Sequence, residues 1–388
     1  MKRVLIGSPI HQKPEILEHF LISLERLDKE ECEIQYLFID DNENKESSKL
    51  LHTFSLNNKN VAIHKNQFND KYIRDNKTHY WNEKLIWKVA NFKNMILQIA
   101  REYEYDYLFL IDSDLVLHPN TLIQLMSSEK DIISNVFWTK WQPNFSELPQ
   151  VWGYDQYEQY YRHRGEVLTD EEVIKRHQEF ITQLRKPGVY EVGGLGACTL
   201  ISESAIKAGV NFNEIKNISF WGEDRHFCIR AQALGFNLYV DTTYPAYHIY
   251  RESDLMNIPN FEGDLSTDIY DEIREIVIKG LEAVGSFHYK NGYASDWKSY
   301  FTKEMQYRLI DIIEDETDEN IKSRLNLKAT VIKCDVFTED NQVIADFILV
   351  NDGIQNSKHF IENVSGLVIL VKNQASGWLI DQMLLKER

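Results

Sequence analysis

A chain of 388 residues exceeds the size at which a single hydrophobic core stops growing, so two domains are expected. Its 43% apolar content suits a globular protein, and no run approaches the roughly 18 consecutive apolar residues of a membrane span. A formal charge of −17 argues against nonspecific binding to nucleic acid or anionic lipid, yet leaves room for one anionic small molecule at a local basic site; residues 59–101 are rich in Lys and Arg.

The basic start is followed by an apolar run that ends at His11, too short for a secretory leader. It reads as a first strand, Val4–Ile10, and the expected address is cytoplasmic with no integral membrane span. Pro14–Leu27 has helical spacing at Ile16, Leu17, Phe20, Leu21 and Leu24. Strand Ile34–Ile39 stops at the polar cluster Asp40-Asp41-Asn42-Glu43-Asn44, and a helix (Ser48–Phe54) and a strand (Val61–His64) follow. Trp87–Arg101 is helical, and Tyr107–Ile111 is a buried-type strand ending at Asp112-Ser113-Asp114. Further elements are a helix from Pro119, a strand at Asp131–Trp138, a surface helix at Asp170–Lys186 and a strand-like stretch at Val189–Ile201. Glu223–Leu234 is a helix stopped by Gly235, and Asn237–Asp241 is a strand. This alternation predicts an α/β domain with a mainly parallel sheet.

Composition shifts near residue 290, which sets the expected domains at 1–289 and 290–388. Helix Trp297–Asp315 and the acidic loop Glu314–Asn320 precede period-2 runs at Ala329–Phe337, Val343–Val350, Val364–Val371 and Trp378–Leu384, an α+β pattern. The four cysteines, Cys32, Cys198, Cys228 and Cys334, include no C-x-x-C pair; the last three sit in apolar surroundings and read as buried hydrophobes, not a disulfide framework or zinc site.

Chemistry concentrates at Asp112-Ser113-Asp114. Open α/β sheets bind ligands outside the carboxyl ends of their strands, and two carboxylates one residue apart repel unless a cation joins them. Mg²⁺ or Mn²⁺ takes carboxylate and phosphate oxygens together, so the pair suits a diphosphate–metal complex.

The stretch KNMILQIAREYEYDYLFLIDSDLVLHPNTL (Lys93–Leu122) resembles the centre of a family 2 glycosyltransferase of the GT-A, Rossmann-like fold. FIDDNENKES (Phe38–Ser47) and WGEDRHFCIRAQALGFNLYVD (Trp221–Asp241) resemble that family's base-binding strand end and its late E-D element. The resemblance spans about residues 1–250 and implies hexosyl transfer, with inversion, from a nucleotide sugar (a UDP-sugar) to a saccharide or other hydroxyl-bearing acceptor. It implies that Ser8, Pro9, Ile10, Asn94, Ser113, Gly193 and Gly194 line the donor site and that Asp40 or Asp41 accepts from the base. Asp112 and Asp114, completed by His248, would hold Mn²⁺ or Mg²⁺; Asp224 would be the catalytic base, supported by Glu223. A nucleotidylyltransferase is disfavoured because GSPIHQKPE lacks the repeated glycines of that family's first loop.

Each feature also has a structural explanation: turn chemistry for Asp40-Asp41, dipole stabilisation for Glu223-Asp224, tight packing for Gly193–Gly196, core packing for His248. The aromatic cluster Trp152, Tyr154, Tyr157, Tyr160 and Tyr161 suits acceptor stacking and ordinary packing equally. The alternative function is a noncatalytic nucleotide-sugar or glycan-binding protein on the same fold. Two departures from the family pattern are the long loop Tyr72–Trp87 and the absence of a Q-x-x-R-W ending. The C-terminal part resembles the NTF2-like fold, an accessory domain for homo-oligomerisation or acceptor recognition.

Overall fold

The computed structural model describes all residues except 30–31, 67–81, 143–144, 220–221, 340–341, 374–376 and 387–388, and the side chains of 264–269, 339 and 373. Trp221 and most of the Tyr72–Trp87 loop therefore lie outside the described residues. The chain divides into two compact units, Met1–Pro259 and Asn260–Arg388.

In the first unit, β1 (Lys2–Ile10) pairs in parallel with β2 (Cys32–Asp40), and β2 with β3 (Val61–Lys65). The crossovers are α1 (Pro14–Arg26) and α2 (Lys45–Asn57). Pro14 opens α1, where its missing N–H costs nothing, and Ile16, Leu17, Phe20, Leu21 and Leu24 form the buried stripe that the spacing predicts. The chain then passes through α3 (Glu83–Glu102) to β4 (Tyr107–Leu110), which pairs on the other side of β1. The order β3-β2-β1-β4 thus reverses direction between β1 and β4, which opens a crevice at their carboxyl ends.

Beyond β4, the short β5 (Leu115–Val116) and α4 (Thr121–Ser127) lead into β6 (Ile132–Thr139). Two short strands, β7 (Leu148–Pro149), which pairs with β6, and β8 (Val151–Trp152), precede α5 (Asp170–Leu184). The Val189–Ile201 stretch is three strands, β9 (Val189–Val192), β10 (Gly194–Leu195) and β11 (Thr199–Ser202). After α6 (Glu203–Ala208), α7 (Glu223–Ala233) leads into β12 (Leu238–His248), longer than the predicted strand. β11 inserts antiparallel between β4 and β6, and β12 runs parallel to β6. Alternate residues of β1 serve two cores: Leu5 packs with Ala90, Ile96 and Leu97 of α3, while Val4 and Ile6 pack with Leu17 and Phe20 of α1.

Asp241 to Ala246 breaks the β12–β6 register, a bulge held by buried Asn135, whose side chain donates to Tyr244 O (2.8 Å) and accepts from Ala246 N (3.0 Å). The shifted strand end then pairs with β5, His248 opposite Leu115.

The second unit begins before residue 290. Helix α8 (Ile258–Gly285) has no clear sequence signal, but its Ile273, Val277 and Leu281 lie in that unit's core, so the composition shift marks the start of the sheet region and not of the unit. β13 (Phe287–His288), β14 (Asn326–Glu339), β15 (Gln342–Gln355), β16 (Lys358–Asn373) and β17 (Gly377–Leu385) form one antiparallel sheet in chain order. The predicted helix Trp297–Asp315 is a 3₁₀ turn (Trp297–Tyr300) followed by α9 (Lys303–Lys322), capped by Thr302 and burying Met305 and Leu309. The acidic run Glu314–Asn320 is the outer half of α9 and not a loop, because its charges face solvent on a helix already nucleated by that cap. Among the described residues no helix is long and apolar enough to cross a membrane.

Candidate active site

A cleft of about 940 Å³ opens at the β1–β4 switch point. Its floor carries Asp112, Ser113 and Asp114 after β4; one end carries Pro9, Ile10, His11 and Gln12 after β1, with Asp41 after β2. Leu85, Ile86, Val89 and Phe92 of α3 give an apolar flank. Opposite stand Trp152 and Tyr157, with Glu223 and Asp224 at the first turn of α7.

Glu223 and Asp224 are joined by a buried cation that lies outside the E-D motif. Lys93, in the middle of α3 and 1% exposed, donates to Glu223 Oε1 (2.7 Å) and Asp224 Oδ1 (2.9 Å). Burial opposes its charge, but Asp224, Glu223 and Asp112 outweigh that and hold its pKa well above the ordinary lysine value. Burial pushes the Asp224 carboxyl up to about 6 against the pull of Lys93, with Glu223 adding to the rise. Burial likewise raises Asp112 to about 7, with Lys93 opposing and Asp114 and Asp224 reinforcing. The cleft holds more negative charge than Lys93 offsets, an environment that favours binding a further cation.

Asp114 and His248 form the second pair, His248 Nε2 lying 3.6 Å from Asp114 Oδ2. Thr139 Oγ1 is 2.8 Å from His248 Nδ1 and itself accepts from Gln150 Nε2 at 2.9 Å. In the tautomer with its proton on Nδ1, the imidazole keeps its Nε2 lone pair toward Asp114, the outer bracing usual for a metal-ligating histidine. Among the described residues no three His, Cys, Asp or Glu side chains are grouped to hold an ion on protein ligands alone. The donor set fits a hard or borderline divalent ion that draws its remaining ligands from diphosphate and water.

The structure separates the expected site residues into two groups. Pro9, Ile10, Asp41, Asp112, Ser113, Asp114, Glu223, Asp224 and His248 line the cleft. Ser8 is fully buried within β1, its hydroxyl donating to Pro9 O (3.4 Å). Asp40 is 4% exposed, and its carboxylate accepts from the Asn42 backbone (3.1 Å) and side chain (2.8 Å), so it closes the turn and leaves Asp41 to the cleft. Asp41 takes Lys88 Nζ at 2.7 Å and Asn66 Nδ2 at 2.6 Å; despite burial, bonds from His11, Lys88 and Asn66 hold its pKa down. Asn94 bonds Phe212 N and Asn213 (2.8 Å each), because one residue along α3 turns it about 100° away from Lys93. Gly193 and Gly194 do not face the cleft. A Cβ on Gly193 would fall 2.3 Å from Gly153 O, and one on Gly194 2.0 Å from the Trp152 ring, so both serve close packing onto β8. Cys198, Cys228 and Cys334 are buried, as their apolar surroundings predict, and all four cysteines are unbridged.

With this geometry in place, comparison with known proteins shows what the chain is similar to. Residues 1–190 match the model described as glycosyltransferase family 25, N-terminal domain. Residues 1–190 therefore resemble a glycosyltransferase domain, in line with the motifs at Phe38–Ser47 and Lys93–Leu122, although the matched family is numbered 25 and not 2. The match includes Asp112–Asp114 and stops before Glu223, Asp224 and His248. Solved structures with some likeness include a Pyrobaculum calidifontis mannosyltransferase in complex with GDP-Man and Mn²⁺ (10% identity, 64% of this chain and 56% of that one, TM-score 0.39). S. aureus TarS residues 1–349 (12%, 88% and 96%, TM-score 0.39) and an IcmL-like type IV secretion system protein from Legionella pneumophila (14%, 30% and 94%, TM-score 0.26) are two others. At these scores they carry no argument about chemistry, and this chain spans little more than half of the mannosyltransferase. A search of curated proteins gave no match.

Proposed function

We infer that the protein transfers a sugar from a nucleotide-sugar donor, a UDP-sugar, to a hydroxyl-bearing acceptor with inversion, using Mn²⁺ or Mg²⁺. The observation that carries this is the facing of Asp112–Asp114 and the Lys93-held pair Glu223–Asp224 across one switch-point cleft. A donor diphosphate entering so acidic a site needs a cation to share its charge, and Asp114 with His248 is the pair suited to hold it. When bound, that ion would stabilise charge developing on the leaving diphosphate.

Pro9–Gln12 and Asp41 would take the nucleotide. Asp224 presents Oδ1 to Lys93 and keeps Oδ2 beside Gly196, where an added Cβ would stand 3.8 Å away. The acceptor oxygen attacks the anomeric carbon, the bond from that carbon to the diphosphate oxygen breaks with its electron pair leaving on the diphosphate, and the acceptor proton goes to Asp224. Glu223, engaged by Lys93, positions that pair and does not take the proton. The second unit is read as an accessory domain for association or acceptor recognition.

The test is incubation with UDP-sugars and a hydroxyl-bearing acceptor panel, following UDP release and the anomeric configuration of the product by NMR. Inverted product, made by the native protein and not by Asp224→Asn, supports the reading. Retained configuration, or turnover by Asp224→Asn near the native rate, contradicts it.

A further inference from the structure

Past the carboxylate end of the cleft, Tyr157 and Gln159 also line a neighbouring groove of about 380 Å³. Its other wall is Val173, Ile174, His177 and Gln178 on α5, with Tyr160. These α5 residues recur at helical i, i+4 spacing on one side, while Phe180 and Leu184 are the buried ones.

The divider between the two spaces is held in an unusual conformation. Tyr157 has φ 60° and Asp155 φ 35°, backbone that bulky side chains rarely adopt and that persists only where surrounding contacts impose it. Those contacts are present. Arg225, 5% exposed, donates to Asp155 Oδ1 (2.7 Å) and Asp155 O (3.2 Å), so the turn is tied to α7 one residue from Asp224. Gly153 N and Tyr154 N both donate to Glu158 O (2.8 and 3.2 Å). Arg176 of α5 holds Tyr161 O and both oxygens of Glu166, which ties the segment after Tyr160 to the groove's far wall. Tyr157 as a residue is 38% exposed, with its ring centroid 4.5 Å from that of Trp152.

We propose that this groove is an acceptor subsite for an uncharged oligosaccharide, which passes from the cleft over Tyr157 and along α5. The inference rests on the glycosyltransferase reading and adds the acceptor class. Tyrosine rings suit the apolar faces of pyranoses, and Gln159, His177 and Gln178 supply hydrogen-bonding groups for hydroxyls. Among the described residues no Lys, Arg, Asp or Glu lines the groove, which fits a neutral chain. Its volume falls at the lower end of small-molecule sites, and the two residues that it shares with the cleft, Tyr157 and Gln159, would let a chain lying in it reach into the cleft that Asp224 lines.

The test is ligand-observed NMR titration of the native protein and Ile174→Arg with neutral mono-, di- and trisaccharides of glucose, galactose, mannose and N-acetylglucosamine. Ile174 is 59% exposed, so the substitution fills the groove without touching a core. At least one oligosaccharide should bind the native protein tenfold or more tightly than its terminal monosaccharide, and Ile174→Arg should abolish that gain. An absent gain, a gain unchanged in Ile174→Arg, or capture of serine-bearing peptides in place of sugars would overturn the proposal. The thermal shift with UDP and Mn²⁺, recorded on the same samples, reads the donor site separately. A shift without oligosaccharide preference contradicts the groove; the preference without a shift contradicts the donor assignment.

Discussion

At the scale of single residues, the site depends on how Lys93 distributes one positive charge over buried carboxylates. Because Asp224 must be ionised to accept a proton and its pKa is raised to about 6, the transfer rate should fall as pH drops through that value. A log rate–pH plot should show an acid limb of unit slope there, and a rate level down to pH 4 would contradict it. Asp224→Asn should lower kcat by roughly 10²–10⁴ while UDP binding survives, which titration calorimetry can check. Lys93→Met leaves Glu223 and Asp224 without their cation. It should move the acid limb to higher pH and lower stability by about 3–5 kcal/mol, the usual result of removing one partner of a buried pair, as denaturant melts would read. The carboxylates themselves were legible in the sequence, since D-x-D after a buried strand and E-D before a helix are adjacent residues. Lys93 was not, because a lysine inside an amphipathic helix reads as solvent-facing and its partners lie 130 residues away. Asn94, next to Lys93 in the chain, bonds instead to Phe212 and Asn213.

At the scale of elements, strand ends and bulges decide which side chains meet. β12 brings His248 to Asp114 only because the Asp241–Ala246 bulge re-aims it, and Asn135 holds that bulge with both ends of its amide. Asn135→Ala should cost about 2–3 kcal/mol in unfolding free energy and blunt the Mn²⁺-dependent part of nucleotide binding. A stability loss that left metal dependence intact would detach the bulge from the site. Gly194→Ala, whose methyl would meet the Trp152 ring, should destabilise in a thermal melt without removing a ligand contact. Periodicity revealed the β1–β4 half of the sheet, where each strand carries an apolar stretch bounded by polar or turn residues. It blurred Val189–Ile201, where three short strands share one apolar stretch, and missed α8, whose apolar residues are diluted by charge.

At the scale of the whole molecule, each compact unit has its own core: the sheet packed on α1 and α3 in one, α8 and α9 packed on five antiparallel strands in the other. Two cores predict two calorimetric transitions, with nucleotide and metal moving only the one that belongs to Met1–Pro259. The sequence pointed to two units through its change of pattern, α/β then α+β. The division at Pro259 was hidden because α8 differs little in composition from what precedes it.

The most direct test of the donor cleft is thermal unfolding with UDP, GDP, CDP and dTDP, each with and without Mn²⁺. At a hundred times its dissociation constant, a nucleotide adds about 2.7 kcal/mol to the native state. For a unit of this size that moves Tm by roughly 5–10 °C. A shift with UDP that requires Mn²⁺ is the predicted result. If none of the four nucleotides moves the transition with the metal present, the donor-site assignment is contradicted.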